Sequence, residues 1–115
     1  MRDGGRLAAA IEVLDDIETR HRPVRLALKS WGERSRFAGS KDRAFVSGLV
    51  LDVLRRRRSL AWRMGGDSNR AAAIGALKFE WGWTDRAIAE ACADAEHGPG
   101  ALTEAEATAL EAPAD

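Results

Sequence analysis

Four consecutive arginines, Arg55 to Arg58, directly follow an apolar segment that runs from Ala44 to Leu54. A helix that is hydrophobic on every side must lie at the centre of a domain, because other elements have to cover all of its faces. The segment therefore predicts a central helix surrounded by further helices. The arginines mark the point at which this helix leaves the core and carries a concentrated positive charge.

The remaining apolar residues also recur at helical spacing, and no useful length of chain alternates with the period of two that strands require. The predicted helices are a first from Leu7 to Ile17, a second from Val24 to Trp31, the central helix from Ser40, a fourth around Leu60 to Met64, a fifth ending near Trp81, a sixth from Thr84 and a last from Thr103. The sequence therefore predicts an all-α bundle of about six to seven helices.

Several polar residues stand where helix N-termini need capping. Ser40 and Thr84 are predicted caps, and Thr103 with Glu106 has the spacing of a capping box. Pro113 is predicted to end the last helix. Gly48, in the middle of the central helix, predicts a close crossing with the backbone of a neighbouring helix.

The charges are sorted along the chain although the formal net charge is zero. Residues 1–70 hold 16 basic and nine acidic side chains, whereas residues 71–115 hold two basic and nine acidic ones. Such asymmetry favours a polyanionic partner for the basic half. The alternative is an ordinary solvated surface whose two ends partly neutralise each other.

The arginine run favours contact with RNA over an inert surface. Favourable interaction with the helix dipole explains one or two arginines at a helix C-terminus, but not four. We expect at least one of the four to turn back toward the core and pair with an acid such as Asp42 or Asp52. The others, with nearby cations, are predicted to form one patch that binds several phosphates. The candidate RNA-binding residues are Arg34, Arg36, Lys41, Arg43, Arg55, Arg56, Arg57, Arg58 and Arg63.

No pattern in the chain predicts a catalytic, cofactor-binding or metal site. A strand followed by a glycine-rich turn and a helix is missing, and His21 and His97 have no partners at ligand spacing. Cys92 lies on the apolar face of its helix and is predicted to be a core residue. The paired acids, Asp15 with Asp16 and Glu104 with Glu106, are expected on solvated helix faces.

Four tryptophans invite the hypothesis of stacking on unpaired bases. Trp31, Trp62 and Trp81 nevertheless fall on or near apolar stripes, which favours core packing. Trp83 stands before the cap of the sixth helix, at the spacing of a hydrophobic staple with Ile88.

The absence of an 18-residue apolar stretch and the charged N-terminal residues favour a soluble, cytoplasmic chain. Its length allows one domain at most. We place a helical domain at residues 1–100, and a short helix with the start of a linker at residues 101–115.

The segments RLAAAIEVLDDI and KDRAFVSGLVLDVLRRR resemble the N-terminal domain of the bacterial 16S rRNA cytosine-C5 methyltransferases of the Sun/Fmu (RsmB) family, a domain similar to the antitermination factor NusB. The matching positions are Arg6 with Ala9, Asp42 with Arg43 and Leu54 with Arg55. Two features depart from the family pattern. Asp52 stands where the family often has glycine, and the arginine run is longer than usual.

This resemblance implies a NusB-like bundle that holds 16S ribosomal RNA for a methyltransferase domain absent from this chain. It implies S-adenosylmethionine for that absent domain, and no cofactor, metal, membrane contact or catalysis for this chain alone. Cys92 lies in the wrong domain to be the catalytic cysteine of the family. Two alternatives stay open: a free-standing NusB-like protein that binds RNA with a protein partner, and a structural domain that packs on a catalytic half through the acidic segment 80–111.

Overall fold

The computed structural model describes residues 1–112 and contains, within them, seven α-helices and no strand. The helices are α1 (Asp3–Arg20), α2 (Val24–Arg34), α3 (Ser40–Arg55), α4 (Arg57–Met64), α5 (Asn69–Phe79), α6 (Asp85–Cys92) and α7 (Glu104–Glu111). The predicted all-α bundle of six to seven helices is confirmed. The predicted helix stop at Pro113 and the start of a linker lie outside the described residues.

Short-range chemistry fixes where several helices begin and end. The Thr84 hydroxyl accepts a hydrogen bond from the Ala87 amide, and Thr103 with Glu106 forms the predicted capping box. Helix α3 is capped differently from the prediction. The Gly39 amide donates to a carboxylate oxygen of Asp42 over 2.9 Å, so Ser40 is the first helical residue and not the cap.

Helix α5, and not α3, is the enclosed helix of the bundle. It packs against α1, α3, α4, α6 and α7, and every residue from Ala71 to Leu77 is buried. Helix α3 buries Val46, Val50 and Val53 on one face, whereas Leu51 and Leu54 are exposed on the other. The prediction of a helix covered on all sides is therefore wrong. The small side chains of α5 let five neighbours approach, which a helix of large residues does not permit.

The arginine run coincides with a break between two helices. Helix α3 ends at Arg55, Arg56 leaves helical geometry, and α4 begins at Arg57. Helix α4 then crosses α5 at Gly75, where a β-carbon would lie only 2.8 Å from Met64 Cγ. The close crossing predicted at Gly48 is wrong, because Gly48 faces the indole of a tryptophan at ordinary van der Waals distance and not a helix backbone.

Helix α7 belongs to the same packed unit as the other six helices. It contacts α4, α5 and α6, and the Leu110 side chain is almost completely buried. Helix α2, by contrast, packs mainly against α1. No described helix combines the length and the apolar character that crossing a membrane requires.

Candidate nucleic-acid interface

Arg55 confirms the predicted pairing of one arginine of the run with Asp52. Its Nη2 atom lies 2.6 Å from Asp52 Oδ1, within one turn of α3. The second carboxylate oxygen of Asp52 accepts a hydrogen bond of 2.7 Å from Trp81 Nε1. Asp52 therefore ties the end of α3 to the residues after α5. The expectation that the paired arginine turns back toward the core is wrong for Arg55, because its side chain is 65% exposed.

The next two arginines also have acidic partners. Arg56 Nε lies 3.4 Å from Glu80 Oε1, and Arg57 Nη2 lies 3.8 Å from Glu18 Oε2. Arg57 also donates a 2.9 Å hydrogen bond to the carbonyl of Asp67. These contacts hold the break between α3 and α4 against three other parts of the chain. They also neutralise the positive charges of Arg56 and Arg57, which the sequence analysis predicts to bind phosphates.

The other two cations at this end of α3 differ from each other. Arg58 is exposed and has no ion pair with any residue that the structure describes. Arg63 places its guanidinium 4.7 Å from the centre of the Phe79 ring, a cation–π contact. Of the run, Arg58 is therefore the residue most available to a phosphate.

Arg43, at the other end of α3, holds α2 in place. Its Nε atom donates to the Ala38 carbonyl over 3.2 Å, and its Nη2 atom donates to the Gly32 carbonyl over 3.1 Å. A β-carbon on Gly32 would collide with this guanidinium, which explains the glycine near the end of α2. Arg34, at the last position of α2, pairs with Glu12 of α1 over 3.2 Å.

The Asp42 carboxylate joins α1 to α3. It is buried, and its Oδ1 atom accepts a 2.7 Å hydrogen bond from Arg6 Nε. The hydrogen bond from the Gly39 amide, followed by the one from Arg6, holds the pKa of Asp42 below its ordinary value. Arg6, Asp42 and Arg43 carry the family resemblance, and the structure gives all three a role in fastening helices.

Four cations on α2 and at the start of α3 have no acidic partner within residues 1–112. All four are exposed: Arg25, Lys29, Arg36 and Lys41. Three of them line two adjoining depressions between α2 and α3. Arg25 and Lys29 border a groove of about 810 Å³ together with Arg43, and Lys29 and Arg43 continue into a hollow that Arg36 also lines. We call Arg25, Lys29, Arg36 and Arg43 the basic groove.

The basic groove also contains apolar surface and one nearby acid. Leu26 is 49% exposed on its wall, and Glu33 lines the hollow beside Arg36. The sequence prediction missed Arg25 and Lys29, although their i, i+4 spacing on α2 places them on one helix face. Four consecutive arginines are a stronger charge signal in the sequence than two cations spaced four residues apart.

The nine predicted RNA-binding residues do not form one patch. Arg34, Arg36, Lys41 and Arg43 lie between the end of α2 and the first turn of α3, whereas Arg55 to Arg58 and Arg63 lie at or beyond the end of α3. The twelve helical steps from Arg43 to Arg55 correspond to a rise of about 18 Å. The structure therefore separates two cationic areas, and the first contains most of the unpaired charge.

The remaining candidate residues are placed as follows. Cys92 is fully buried, as predicted, and burial raises the pKa of its thiol. His21 and His97 are exposed. Trp31 is a core residue, but the prediction for Trp62 is wrong because its side chain is 82% exposed. Among residues 1–112, no three His, Cys, Asp or Glu side chains cluster as metal ligands would.

Two tryptophans after α5 pack around one phenylalanine. The Phe45 ring makes edge-to-face contacts with Trp81 at 5.0 Å and with Trp83 at 5.9 Å. Both tryptophans are partly buried against the core.

Asp16 does not lie on a solvated helix face as predicted. Its carboxylate pairs with Arg22, and only 13% of its side chain is exposed.

The chain matches no protein-family model, and no curated protein or solved structure is significantly similar to it.

Proposed function

We propose that this chain is an RNA-binding helical domain whose contact surface is the basic groove. The observation that carries the proposal is the set of exposed cations, Arg25, Lys29 and Arg36, that line two adjoining depressions and have no acidic partner among the described residues. Unpaired cations on a concave surface attract a polyanion, because binding releases the counterions condensed on its phosphates. Arg43 contributes a fourth charge at the base of the groove.

The resemblance to the 16S rRNA cytosine-C5 methyltransferases supports a more specific form of this proposal. The domain would hold ribosomal RNA for a methyltransferase domain, and that separate domain would bind S-adenosylmethionine and carry out catalysis. The Arg6–Asp42 ion pair supports the resemblance, since it gives two of the matching positions a shared structural role. The chain by itself would not be an enzyme.

A second candidate function is a free-standing NusB-like protein that binds RNA together with a protein partner. Exposed apolar side chains on α3 and α4 favour it, because such surface is a usual feature of protein interfaces. Leu51 and Leu54 lie on the outer face of α3, and Trp62 lies on α4.

The test is a fluorescence-anisotropy titration with a labelled 16S rRNA hairpin at about 50 and about 200 mM salt. One variant combines Arg25→Glu, Lys29→Glu and Arg36→Glu. The matched control combines Arg56→Glu, Arg57→Glu and Arg58→Glu, which changes the charge by the same amount at the other end of α3. Circular dichroism and thermal melting of each protein establish that it is folded.

We expect wild-type binding to weaken steeply with salt, and the first variant to lose binding while it stays folded. The control should keep most of its affinity but melt at a lower temperature, because Arg56 and Arg57 lose their acidic partners. Loss of binding in the folded control, with the first variant unaffected, would move the interface to the arginine run. Absent binding by the wild-type chain would reject RNA binding and leave a structural domain, whereas salt-insensitive binding would reject the basic groove as the contact surface.

A further inference from the structure

A cavity of about 320 Å³ lies between α1 and the turn that joins α2 to α3. Small residues of α1, Gly5, Ala8 and Ala9, form part of its lining. Two aromatic residues, Trp31 and Phe37, also border it; Trp31 is almost completely buried, whereas Phe37 is largely exposed. The exposed Phe37 ring beside small residues offers a surface on which a flat ring can stack.

Phe37 is the most exposed of the aromatic side chains on this side of the molecule. It is 76% exposed, whereas Phe45 and Phe79 pack against the core. The ring is not on a loose loop, because the Ala38 amide donates a 2.9 Å hydrogen bond to the Ser35 carbonyl and closes the turn. Arg43 fastens the same turn through the Ala38 carbonyl. The backbone that carries the exposed ring is therefore held in position before any ligand arrives.

The cavity and the basic groove come closest at the turn between α2 and α3. Arg36 of the groove and Phe37 of the cavity are consecutive residues there, and both are exposed. A strand with a phosphate on Arg36 would therefore have a base within reach of Phe37. Glu12, at the edge of the cavity and 3.2 Å from Arg34, supplies carboxylate oxygens that can accept a hydrogen bond from a base amino group.

We infer that this cavity takes an unpaired nucleobase of the RNA, stacked on Phe37, while the phosphates on either side contact the basic groove. The inference rests on the proposed function and makes it specific to single-stranded or looped RNA. Bases in a duplex are stacked on each other and cannot enter, whereas unpaired bases stack readily on aromatic side chains. The α1–α2 side of the domain would thus read whether a nucleotide is paired.

The test compares three RNAs in equilibrium titrations: a single strand, a duplex of the same length, and the single strand with abasic sites. The proteins are the wild type, Phe37→Ala, Phe37→Trp and Trp62→Ala. Trp62 is the matched control, because it is an exposed aromatic residue that lines the depression between α4 and α7 instead. Melting temperatures accompany each titration, and the exposed position of Phe37 means that its substitution should leave them unchanged.

We expect Phe37→Ala to weaken binding of the single strand by about 5- to 150-fold, the range measured for loss of one base–aromatic stack. Its affinity for the duplex and the abasic strand should not change, and the salt dependence should stay the same because no phosphate contact is lost. Phe37→Trp should restore binding of the single strand. Trp62→Ala should behave like the wild type.

Two failures are distinguishable. If the wild type binds none of the RNAs, the proposed function is rejected and the base-binding cavity falls with it. If the wild type binds the single strand and the duplex equally, and Phe37→Ala matches it, the basic groove binds RNA but the cavity does not hold a base. A loss confined to Trp62→Ala would also overturn the assignment of the cavity.

Discussion

Individual glycines decide how closely the backbone segments of this fold approach one another. A β-carbon on Gly98 would lie 2.7 Å from the carbonyl oxygens of Ala91 and Cys92 at the end of α6. A β-carbon on Gly4 would lie 2.5 Å from the same Ala91 oxygen. Both glycines therefore let backbone pack directly on the end of α6.

Gly98→Ala is expected to destabilise the fold by about 1–3 kcal/mol, the usual cost of an extra methyl group in a packed site. The neighbouring atoms belong to the backbone, so they cannot rotate away as a side chain would. Urea denaturation at neutral pH measures the change in the free energy of unfolding. Gly66→Ala is the control, because a β-carbon there meets nothing within 4 Å. Equal stability of the two variants would contradict this account of Gly98.

At the level of elements, one side chain joins α5 to α7. Arg70 donates to both carboxylate oxygens of Glu106, over 2.8 and 3.0 Å. The same guanidinium donates to the carbonyls of Pro99, Gly100 and Ala101 in the segment before α7. The hydrogen bonds from Arg70 hold the pKa of Glu106 below its ordinary value. Arg70 therefore positions α7 on the bundle.

Arg70→Met keeps the apolar stem of the side chain but removes all five donors. We expect the free energy of unfolding to fall by about 2 kcal/mol, since charged hydrogen bonds are typically worth 1.5–3 kcal/mol. Hydrogen exchange of the amides of α7 should accelerate more than exchange in α5. Arg86→Met serves as the control, because the Arg86 side chain is 90% exposed. A variant with unaltered exchange in α7 would show that Leu110 alone holds this helix.

The existence of the helices follows from the sequence much better than their arrangement does. Periodicity and capping chemistry are local, so Thr84 and the Thr103–Glu106 pair are correctly predicted. Which helix lies at the centre depends on long-range packing, and the small residues of α5 gave a weaker signal than the apolar run of α3. The prediction that Trp62 packs in the core is wrong for the same reason, because helical spacing does not reveal which face of a helix has a neighbour.

The candidate interface was predicted only in part. Of the nine predicted RNA-binding residues, Arg36 and Arg43 lie in the basic groove. The pairing of Arg56 and Arg57 with distant acids cannot be predicted from their spacing. Phe37 carries no periodic signal, because it lies in a turn. Its proposed role in base stacking can be inferred only from the structure, which places this turn beside α1.

For the molecule as a whole, three carboxylates connect separate segments and have lowered pKa values. Asp42 and Glu106 are held by the contacts described above. The backbone amide of Glu96 donates to Asp94, which lowers the pKa of that carboxyl, and Asp94 lies 3.9 Å from Arg2 of the N-terminal segment. Each of the three carboxylates therefore favours the folded state in its ionised form.

A fall in pH should consequently weaken the contacts that these three carboxylates make between segments of the bundle. The contribution of these carboxylates is fully present above about pH 4, the ordinary range of Asp and Glu, and is lost as the pH falls through their lower folded pKa values. Urea midpoints measured between about pH 7 and pH 2.5 should decline below pH 4. The double variant Asp42→Asn, Glu106→Gln should be less stable at neutral pH and decline less steeply in acid. Parallel curves for the two proteins would refute the assignment.

The exposed cations of the basic groove, on a chain whose formal net charge is zero, have a consequence for how this molecule would meet a partner. A protein without net charge but with separated charges behaves as an electric dipole. Its attraction to a polyanion depends on orientation and, at physiological ionic strength, acts only within about one Debye length, some 8 Å. A uniformly basic protein of this size would collect on any nucleic acid from a distance. If the proposed RNA binding is correct, this chain would be attracted only when it approaches with the basic groove forward, so selection among polyanions would occur at contact and not during diffusion.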